Sequence, residues 1–239
     1  MSYNNFREDY TMENFIIGNN RKVFNIVLSL LNKTEENTET VLITGKTGVG
    51  KTHLLQAIGN HFRTNKEERI IYTTAEQFTN EYLNSILSKE SEKFLSIFLN
   101  IEILLFEDLQ YLEGKTSTQD IFLKICKQLL NQRKYVFISC GKPLNKLQYI
   151  NKDLSEFLTS GKIIKLQRPN LKAREIFIKK RLNYDEDVIE YIARNFKGSY
   201  RDLDGIINKI NAYNELKDTV QWSSQKGVEK SHWKIHNVS

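Results

Sequence analysis

The sequence predicts an α/β fold of three layers, in which helices cover both faces of a parallel sheet. Three observations predict it. Short apolar runs recur along the first two thirds of the chain, helical patterns separate them, and the first run ends in a glycine-rich turn. Strands that are apolar at nearly every position are typical of parallel sheets buried on both faces. We therefore expect strands and helices to alternate along the chain.

Five short apolar runs along the chain are predicted to be strands. The first core strand covers residues 41–44, and apolar residues at helical spacing follow it over residues 51–60. Four further apolar runs, each typical of a buried strand, lie at residues 70–72, 103–106, 135–138 and 163–166. Between them the apolar spacing is helical, as over residues 75–87 and 119–132. The result is a predicted five-stranded parallel sheet.

The pattern changes after Pro169. Three helices are predicted at residues 171–182, 185–195 and 200–213, and no apolar run separates them. This arrangement indicates a small α-helical second domain. From about Thr219 the apolar periodicity stops. We therefore expect an αβα domain over residues 1–168, a helical lid over 169–218 and a tail over 219–239.

Composition excludes several classes of protein. The 239 residues are 40% apolar and 27% charged, which is a globular composition and not a fibrous one. No stretch reaches the roughly 18 to 20 apolar residues that span a bilayer, and residues 1–10 do not resemble a signal peptide. The two cysteines, Cys126 and Cys140, lack the spacing of a zinc site, and among the four histidines only His232 and His236, in a polar tail, have the spacing of metal ligands. We expect a cytoplasmic protein with no membrane partner.

The positive charge is concentrated in one region. Residues 142–181 contain eleven lysines or arginines and three acids, a net charge of +8, whereas the whole chain carries +6. Such a region can contact nucleic acid or an acidic partner, or it can be the solvated face of helices. The charge alone does not choose between these interpretations.

The motif that carries chemistry follows the first strand. It matches G-x-x-x-x-G-K-[ST] between a predicted strand and a predicted helix, and consists of Gly45, Lys46, Thr47, Gly48, Val49, Gly50, Lys51 and Thr52. Backbone N–H groups of such a loop enclose phosphate oxygens, Lys51 reaches the β and γ phosphates, and the Thr52 hydroxyl binds Mg²⁺. A nucleoside triphosphate is the predicted ligand. The alternative is a glycine-rich turn that binds nothing.

An acidic pair follows the third predicted strand. Glu107 and Asp108 come directly after residues 103–106, at the end of the strand where open α/β sheets bind ligands. In a P-loop site such acids hold the water shell of the metal and orient the attacking water. Glu107 and Asp108 are therefore the catalytic candidates, and Thr52 and Glu107 the metal candidates. The alternative is a simple cap at the end of a strand.

Five stretches together resemble one family, the AAA+ modules of the bacterial chromosomal replication initiator DnaA and its stand-alone relatives. The stretches are residues 10–18, 45–62, 76–86, 104–115 and 198–205, within a resemblance that spans residues 10–213. The resemblance implies a P-loop NTPase whose lid and sheet hold ATP or ADP. It places Phe15, Ile17, Gly18 and His53 beside the nucleotide.

The resemblance also assigns Arg201, Leu83 and Lys115. Arg201 stands at the place of the lid arginine that reaches the γ phosphate, although it could instead be a surface residue paired within its own helix. Leu83 and Lys115 stand where the family contacts single-stranded DNA. Ser117 occupies a place where an arginine is common, which weakens the DNA assignment.

The chain departs from the family at three catalytic places. Glu107 stands where an aspartate is usual, and its extra methylene is expected to push the carboxylate outward and disturb the metal site. The fourth strand ends in Ser-Cys-Gly at 139–141, without the phosphate-sensing acid. Phe157 stands where an arginine reaches the neighbouring subunit. Such an arginine contributes about 10³–10⁵ in rate, so we expect weak ATPase activity at most.

These observations favour an ATP-binding protein that acts in initiation of DNA replication or in its regulation. It is expected to bind the initiator, another replisome protein or single-stranded DNA, and self-association stays open. Only about 20 unpatterned residues follow residue 220, so no duplex-reading domain is expected. One alternative is an active ATPase, like a helicase loader or an initiator, that uses a partner's arginine finger. Another is a truncated, vestigial initiator module.

Overall fold

A five-stranded parallel sheet forms the centre of the molecule, as the sequence predicts. The computed structural model describes residues 3, 5–31, 39–66 and 69–221. The strands lie in the order β2-β3-β4-β1-β5 and all pair in parallel. Their bounds are β1 Thr40–Thr44, β2 Ile70–Thr74, β3 Ile103–Glu107, β4 Tyr135–Cys140 and β5 Lys162–Lys165.

Six helices cover the two faces of this sheet. They are α1 Arg21–Leu31, α2 Lys51–Lys66, α3 Ala75–Leu87, α4 Ser91–Leu99, α5 Thr116–Asn131 and α6 Lys152–Ser160. Successive residues of a strand point to opposite faces, so Leu42 packs with α3 to α6 whereas Ile43 packs with α1 and α2. The sheet is thus the middle of three layers, which confirms the predicted fold class.

Three more helices form the lid. They are α7 Leu171–Lys179, α8 Glu186–Asn195 and α9 Tyr200–Gln221, and they share a core of their own that includes Phe177, Ile192 and Leu203. Helix α9 extends eight residues beyond the predicted end at Tyr213, because no glycine or proline interrupts the chain there. It enters the region predicted as a tail, and residues 222–239 lie outside the described part of the chain. No helix within the described ranges is long and apolar enough to cross a membrane.

An aromatic cluster fixes α3 and α4 on one face of the sheet. Phe78 of α3 is fully buried, and its ring centroid lies 5.2–5.9 Å from the centroids of Phe94, Phe98, Phe106 and Phe122. Edge-to-face pairs of this kind add stability beyond that of buried area. The cluster therefore ties two helices to β3, the strand that ends in the acidic pair.

We predict that Phe78→Ala lowers the free energy of unfolding by about 3–5 kcal/mol, because it leaves a cavity within four aromatic rings. Leu87→Ala on the same helix is the matched control, since the Leu87 side chain is 82% exposed and its truncation should cost less than about 0.5 kcal/mol. Urea unfolding measures both variants. Equal losses would contradict the central place of Phe78 in the core.

Candidate nucleotide-binding site

A cleft of about 760 Å³ opens between the ends of the strands and the lid. The loop after β1, the residues that follow β3 and the lid helices α7 and α9 form its walls. An N-terminal segment that includes Tyr10, Asn14 and Phe15 closes one end. The cleft lies at the carboxyl ends of the strands, where open α/β sheets bind ligands.

The lid docks directly on the glycine-rich loop. The backbone N–H of Tyr200 donates to the carbonyl of Gly48 at 2.9 Å. Gly48 has φ +75°, and a Cβ atom there would lie 2.4 Å from the Ser199 hydroxyl oxygen and 2.8 Å from Cβ of Arg201. Glycine is required at this position by both the backbone conformation and the close approach. The loop and the lid thus meet at a point that admits no side chain.

Two polar residues organise the start of α9. The Asp202 carboxylate accepts from the Ser199 backbone N–H at 2.7 Å and from the Ser199 hydroxyl at 2.9 Å. The backbone N–H of Asp202 donates back to the Ser199 oxygen at 3.4 Å. This reciprocal cap begins the helix beside Gly48, which positions Arg201 in the wall of the cleft.

Lys51 lies inside the loop. Its ammonium donates to the carbonyl oxygens of Gly45 at 3.0 Å and of Lys46 at 3.1 Å. Burial lowers the pKa of Lys51, while the nearby Asp108 charge acts to raise it. Lys51, Thr47, Gly48, Gly50 and Thr52 line the cleft. Of the other motif residues, Lys46 is exposed and Val49 packs in the core.

Glu107 lies behind Thr52 and is 7% exposed. One of its carboxylate oxygens accepts from the Thr52 hydroxyl, and the other accepts from the phenol of Tyr72. Burial and the Glu107 charge raise the pKa of Tyr72, so the phenol stays protonated and donates. The expectation that the extra methylene pushes the Glu107 carboxylate outward is wrong, because Thr52 of α2 and Tyr72 of β2 bind both of its oxygens. The expected disturbance of the metal site stays a prediction.

The oxygen atoms around Thr52 are of the kind that binds a magnesium ion. A hydroxyl and carboxylates are oxygen ligands, which Mg²⁺ prefers, and Mg²⁺ in such sites is bound by one or two protein groups together with substrate phosphates. In the described part of the chain, no group of three or more His, Cys, Asp or Glu side chains could hold a metal. Thr52 lines the cleft, whereas Glu107 is not part of its wall and binds the Thr52 hydroxyl, so Thr52 is the residue placed to bind a metal that arrives with phosphate.

Asp108 faces the cleft in a left-handed conformation, with φ +60° and ψ +51°. Its backbone N–H donates to the Ser139 hydroxyl at 3.0 Å, and its carboxylate accepts from the Gln110 amide at 2.9 Å. The side-chain amide oxygen of Gln110 in turn accepts from the backbone N–H of Gly141 at 2.7 Å. The end of β4 lacks an acid, yet it remains connected to Asp108 through Gln110. The sequence analysis missed Gln110, although it lies two residues after Asp108 in the stretch 104–115 that resembles the family.

Aromatic rings surround His53 at the N-terminal end of the cleft. Tyr10 stacks on the His53 imidazole with centroids 4.5 Å apart, and Phe15 meets it edge-on at 5.5 Å. His53 Nε2 donates to the Thr11 carbonyl at 3.1 Å, and burial lowers the pKa of the ring. Phe15 and His53 thus line the cleft as the resemblance implies. Tyr10 is a further lining residue that was not anticipated.

Ile17 and Gly18 lie beside the cleft and are not part of its wall. Ile17 packs against the core cluster that α1 and α2 share. A Cβ atom on Gly18 would lie 2.8 Å from Cβ of Ala173 in the lid. Their neighbours Ile16 and Asn14 line the cleft instead. The stretch resembling the family is therefore at the site, but other members of it face the cavity.

The lid contributes three cations to the cleft, Lys180, Arg181 and Arg201. The Arg181 guanidinium lies 3.7 Å from the Phe177 ring centroid and pairs with Asp204 at 3.0 Å. Lys180 and Arg181 are new site residues. They lie at the end of α7, where any lysine or arginine interacts favourably with the helix dipole, so the sequence alone did not identify them as site residues.

Leu83 and Lys115 line one groove between α3 and the start of α5, about 590 Å³ in volume. Leu83 is 46% exposed on α3, and Lys115 precedes α5 and donates to the Tyr111 carbonyl at 2.5 Å. Ser117 and Asp120 line the same groove. The structure thus brings together the two residues that the resemblance assigned to DNA.

Six of the eleven cations in the basic region at residues 142–181 form ion pairs or hydrogen bonds with other residues of the protein. Five of its cations form ion pairs, and these are Lys142–Glu113, Lys152–Glu156, Lys162–Glu39, Lys179–Glu186 and Arg181–Asp204. A sixth, Arg174, is buried and donates to the carbonyls of Ala193 and Pro169. Phe157 in the same region is half-buried and packs against the core. These contacts favour the structural interpretation for much of the region.

Comparison with known proteins identifies the family. The model of the bacterial DnaA ATPase domain matches residues 6–165. The chain belongs to this family. A chromosomal replication initiator protein DnaA from Nautilia profundicola is 34% identical over 214 residues, which cover 87% of this chain and 49% of that protein. The chain spans about half the length of the curated DnaA relatives it matches.

Solved DnaA structures share the fold. Domain III of DnaA from Thermotoga maritima superposes with a TM-score of 0.83 at 28% identity, covering 90% of this chain and 92% of that one. A replication initiator DnaA bound to AMPPCP and single-stranded DNA superposes with a TM-score of 0.80 at 27% identity, covering 91% and 70%. The resemblance to DnaA AAA+ modules is thereby confirmed.

We predict that Gly48→Ala destabilises the protein by about 1–2 kcal/mol or more, because an L-residue is strained at a left-handed φ and its Cβ would meet Ser199 and Arg201. Gly205→Ala is the control. Gly205 lies in α9 with open space around its Cβ position, so alanine there should stabilise by about 0.5–1 kcal/mol. Urea unfolding compares the two, and a Gly48→Ala protein as stable as the parent would refute the lid contact.

Proposed function

We propose that this chain is an ATP-binding AAA+ module that acts in initiation of DNA replication or in its regulation. The observation that carries the proposal is the convergence of Lys51, Thr52 and Asp108 with the lid cation Arg201 on one cleft. Support comes from the DnaA relative bound to AMPPCP and single-stranded DNA, which has the same fold. The module would act through nucleotide-dependent binding to an initiator, to another replisome protein or to single-stranded DNA.

The loop would bind the phosphates of ATP. Lys51 holds the carbonyls of Gly45 and Lys46, and its ammonium would turn from them toward the β and γ phosphates. Arg201 would contact the γ phosphate from the lid side. The bound magnesium would neutralise phosphate charge, with Thr52 as its protein ligand and Glu107 orienting the Thr52 hydroxyl. The nucleotide would thereby bridge the sheet and the lid.

Hydrolysis by this chain alone should be slow. Asp108 could orient a water molecule at the cleft, but its carboxylate is already engaged by Gln110. Phe157, at the place of the family's trans-acting arginine, packs against the core and offers no charge. Rapid hydrolysis would therefore need an arginine from a partner, which is the ATPase alternative raised by the sequence.

We predict that Lys51→Ala weakens ATP binding about tenfold or more, because it removes a charged donor to the phosphates. Lys46→Ala is the control in the same loop, where the side chain is exposed and the expected change is less than about twofold. Isothermal titration with ATP and magnesium measures both dissociation constants. Equal affinity of the parent and Lys51→Ala proteins would exclude the proposed nucleotide site.

Single-stranded DNA is the second proposed ligand, because Leu83 and Lys115 share one exposed groove. The exposed apolar side chain could pack against bases while the ammonium contacts a phosphate. This is a proposal about the ATP-bound chain, since the relative with DNA also holds AMPPCP.

We predict that Leu83→Ser combined with Lys115→Ala weakens binding of a fluorescent single-stranded oligonucleotide and reduces the salt slope of log K by about 0.7, the value for one lost phosphate contact. Lys152→Ala is the charge-matched control, because Lys152 lies on α6 in an exposed pair with Glu156. Anisotropy titrations at several salt concentrations measure the effect. If the control and the double variant bind alike, the groove is not the DNA site.

A further inference from the structure

Tyr72 connects the second strand to the acid of the metal site. Tyr72 of β2 pairs in register with Leu105 of β3, and Glu107 follows two residues later on the same face of the sheet. The phenol is buried and donates to one Glu107 oxygen, while Thr52 donates to the other. Both oxygens of the carboxylate are therefore held by hydroxyl donors, one from α2 and one from β2.

Gln56 of α2 is a second polar partner of the Tyr72 phenol. The side-chain oxygen of Gln56 accepts from the backbone N–H of Arg7 at 2.9 Å, and its side chain also hydrogen-bonds the phenol. The phenol has one proton, which it donates to Glu107, so the Gln56 amide nitrogen is the group that donates to the phenol oxygen. Gln56 is buried, so water does not compete freely for these positions.

The N-terminal segment holds the Tyr72 ring from its other side. The Phe6 ring lies 5.4 Å from the Tyr72 ring, and the guanidinium of Arg63 lies 5.0 Å from the Phe6 centroid. A Cβ atom on Gly59 would lie 2.4 Å from Phe6, so the bare backbone of α2 makes room for this ring. Phe6 and Arg7 thus fix both the ring and the hydrogen bonding of Tyr72.

We propose that Tyr72 is a positioning residue that fixes the Glu107 carboxylate on Thr52 and so makes the longer acid fit for magnesium. Glutamate has one more rotatable bond than aspartate, and its carboxylate could turn away from Thr52 if only one oxygen were bound. The Tyr72 hydrogen bond removes that freedom. The inference rests on the proposed function, because it assigns Tyr72 a part in binding of ATP with magnesium.

The first test is the magnesium dependence of ATP affinity in Tyr72→Phe, which keeps the ring and removes only the hydroxyl. In EDTA the variant should bind ATP within about twofold of the parent, whereas the gain in affinity on adding magnesium should fall about tenfold. Tyr82→Phe is the matched control. Tyr82 is a half-buried tyrosine on α3 that packs against Phe94, and its magnesium-dependent gain should be unchanged.

A second test needs no nucleotide. In urea unfolding, Tyr72→Phe should destabilise the parent more than it destabilises a Glu107→Ala protein, because in that background only the hydrogen bond with Gln56 is left to lose. Additive effects of the two substitutions would overturn the Tyr72–Glu107 contact. An unchanged magnesium gain in Tyr72→Phe would overturn the positioning role alone. A parent protein that binds no ATP would overturn the proposed function, and with it any role of Tyr72 in that binding.

Discussion

The loop between β1 and α2 is the constraint on which the rest of the site depends. Its interior is held by the Lys51 ammonium, which binds two carbonyls of the loop itself. Gly48 in its middle accepts a hydrogen bond from Tyr200 of the lid, and Thr52, in the first turn of α2 directly after the loop, binds the acid of β3. The cleft therefore exists because one short turn, with almost no side-chain bulk at Gly48, lets three parts of the chain approach each other.

Much of the fold could be predicted from the sequence because its signals are local. An apolar run reports burial of its own strand, and the glycine spacing reports its own turn, so the five strands and the loop were anticipated. Tyr72 and Gln110 could not be singled out, because one looks like any buried strand residue and the other like any polar residue after a strand. Their roles arise only when β2, β3 and β4 are side by side. The expectation that the Glu107 carboxylate is displaced outward was wrong for the same reason. It took account of the extra methylene but not of the hydroxyl groups that bind the carboxylate.

Charge in the cleft is divided between two structural units. Lys51 belongs to the sheet domain, whereas Lys180, Arg181 and Arg201 belong to the lid, and Asp108 and Asp204 lie among them. A polyphosphate contacting cations on both sides would be bound only when the lid is docked, and it would in turn stabilise the docked arrangement by mass action. The high positive charge of residues 142–181 contributes less to such a site than its sum suggests, because many of these side chains are paired or buried elsewhere.

The departures from the family differ in whether the surrounding structure compensates for them. The longer acid Glu107 is held on Thr52 by the Tyr72 phenol, and the end of β4 at Gly141 reaches Asp108 through the Gln110 amide. Both compensations concern groups that bind or orient inside a single chain. Phe157 is different, because it is an apolar side chain that packs against the core. The groups that bind or orient within one subunit thus keep their contacts, whereas the residue at the place that would act between subunits is apolar. That division supports the proposal of a module that acts by nucleotide-dependent binding and would need a partner's arginine for rapid hydrolysis.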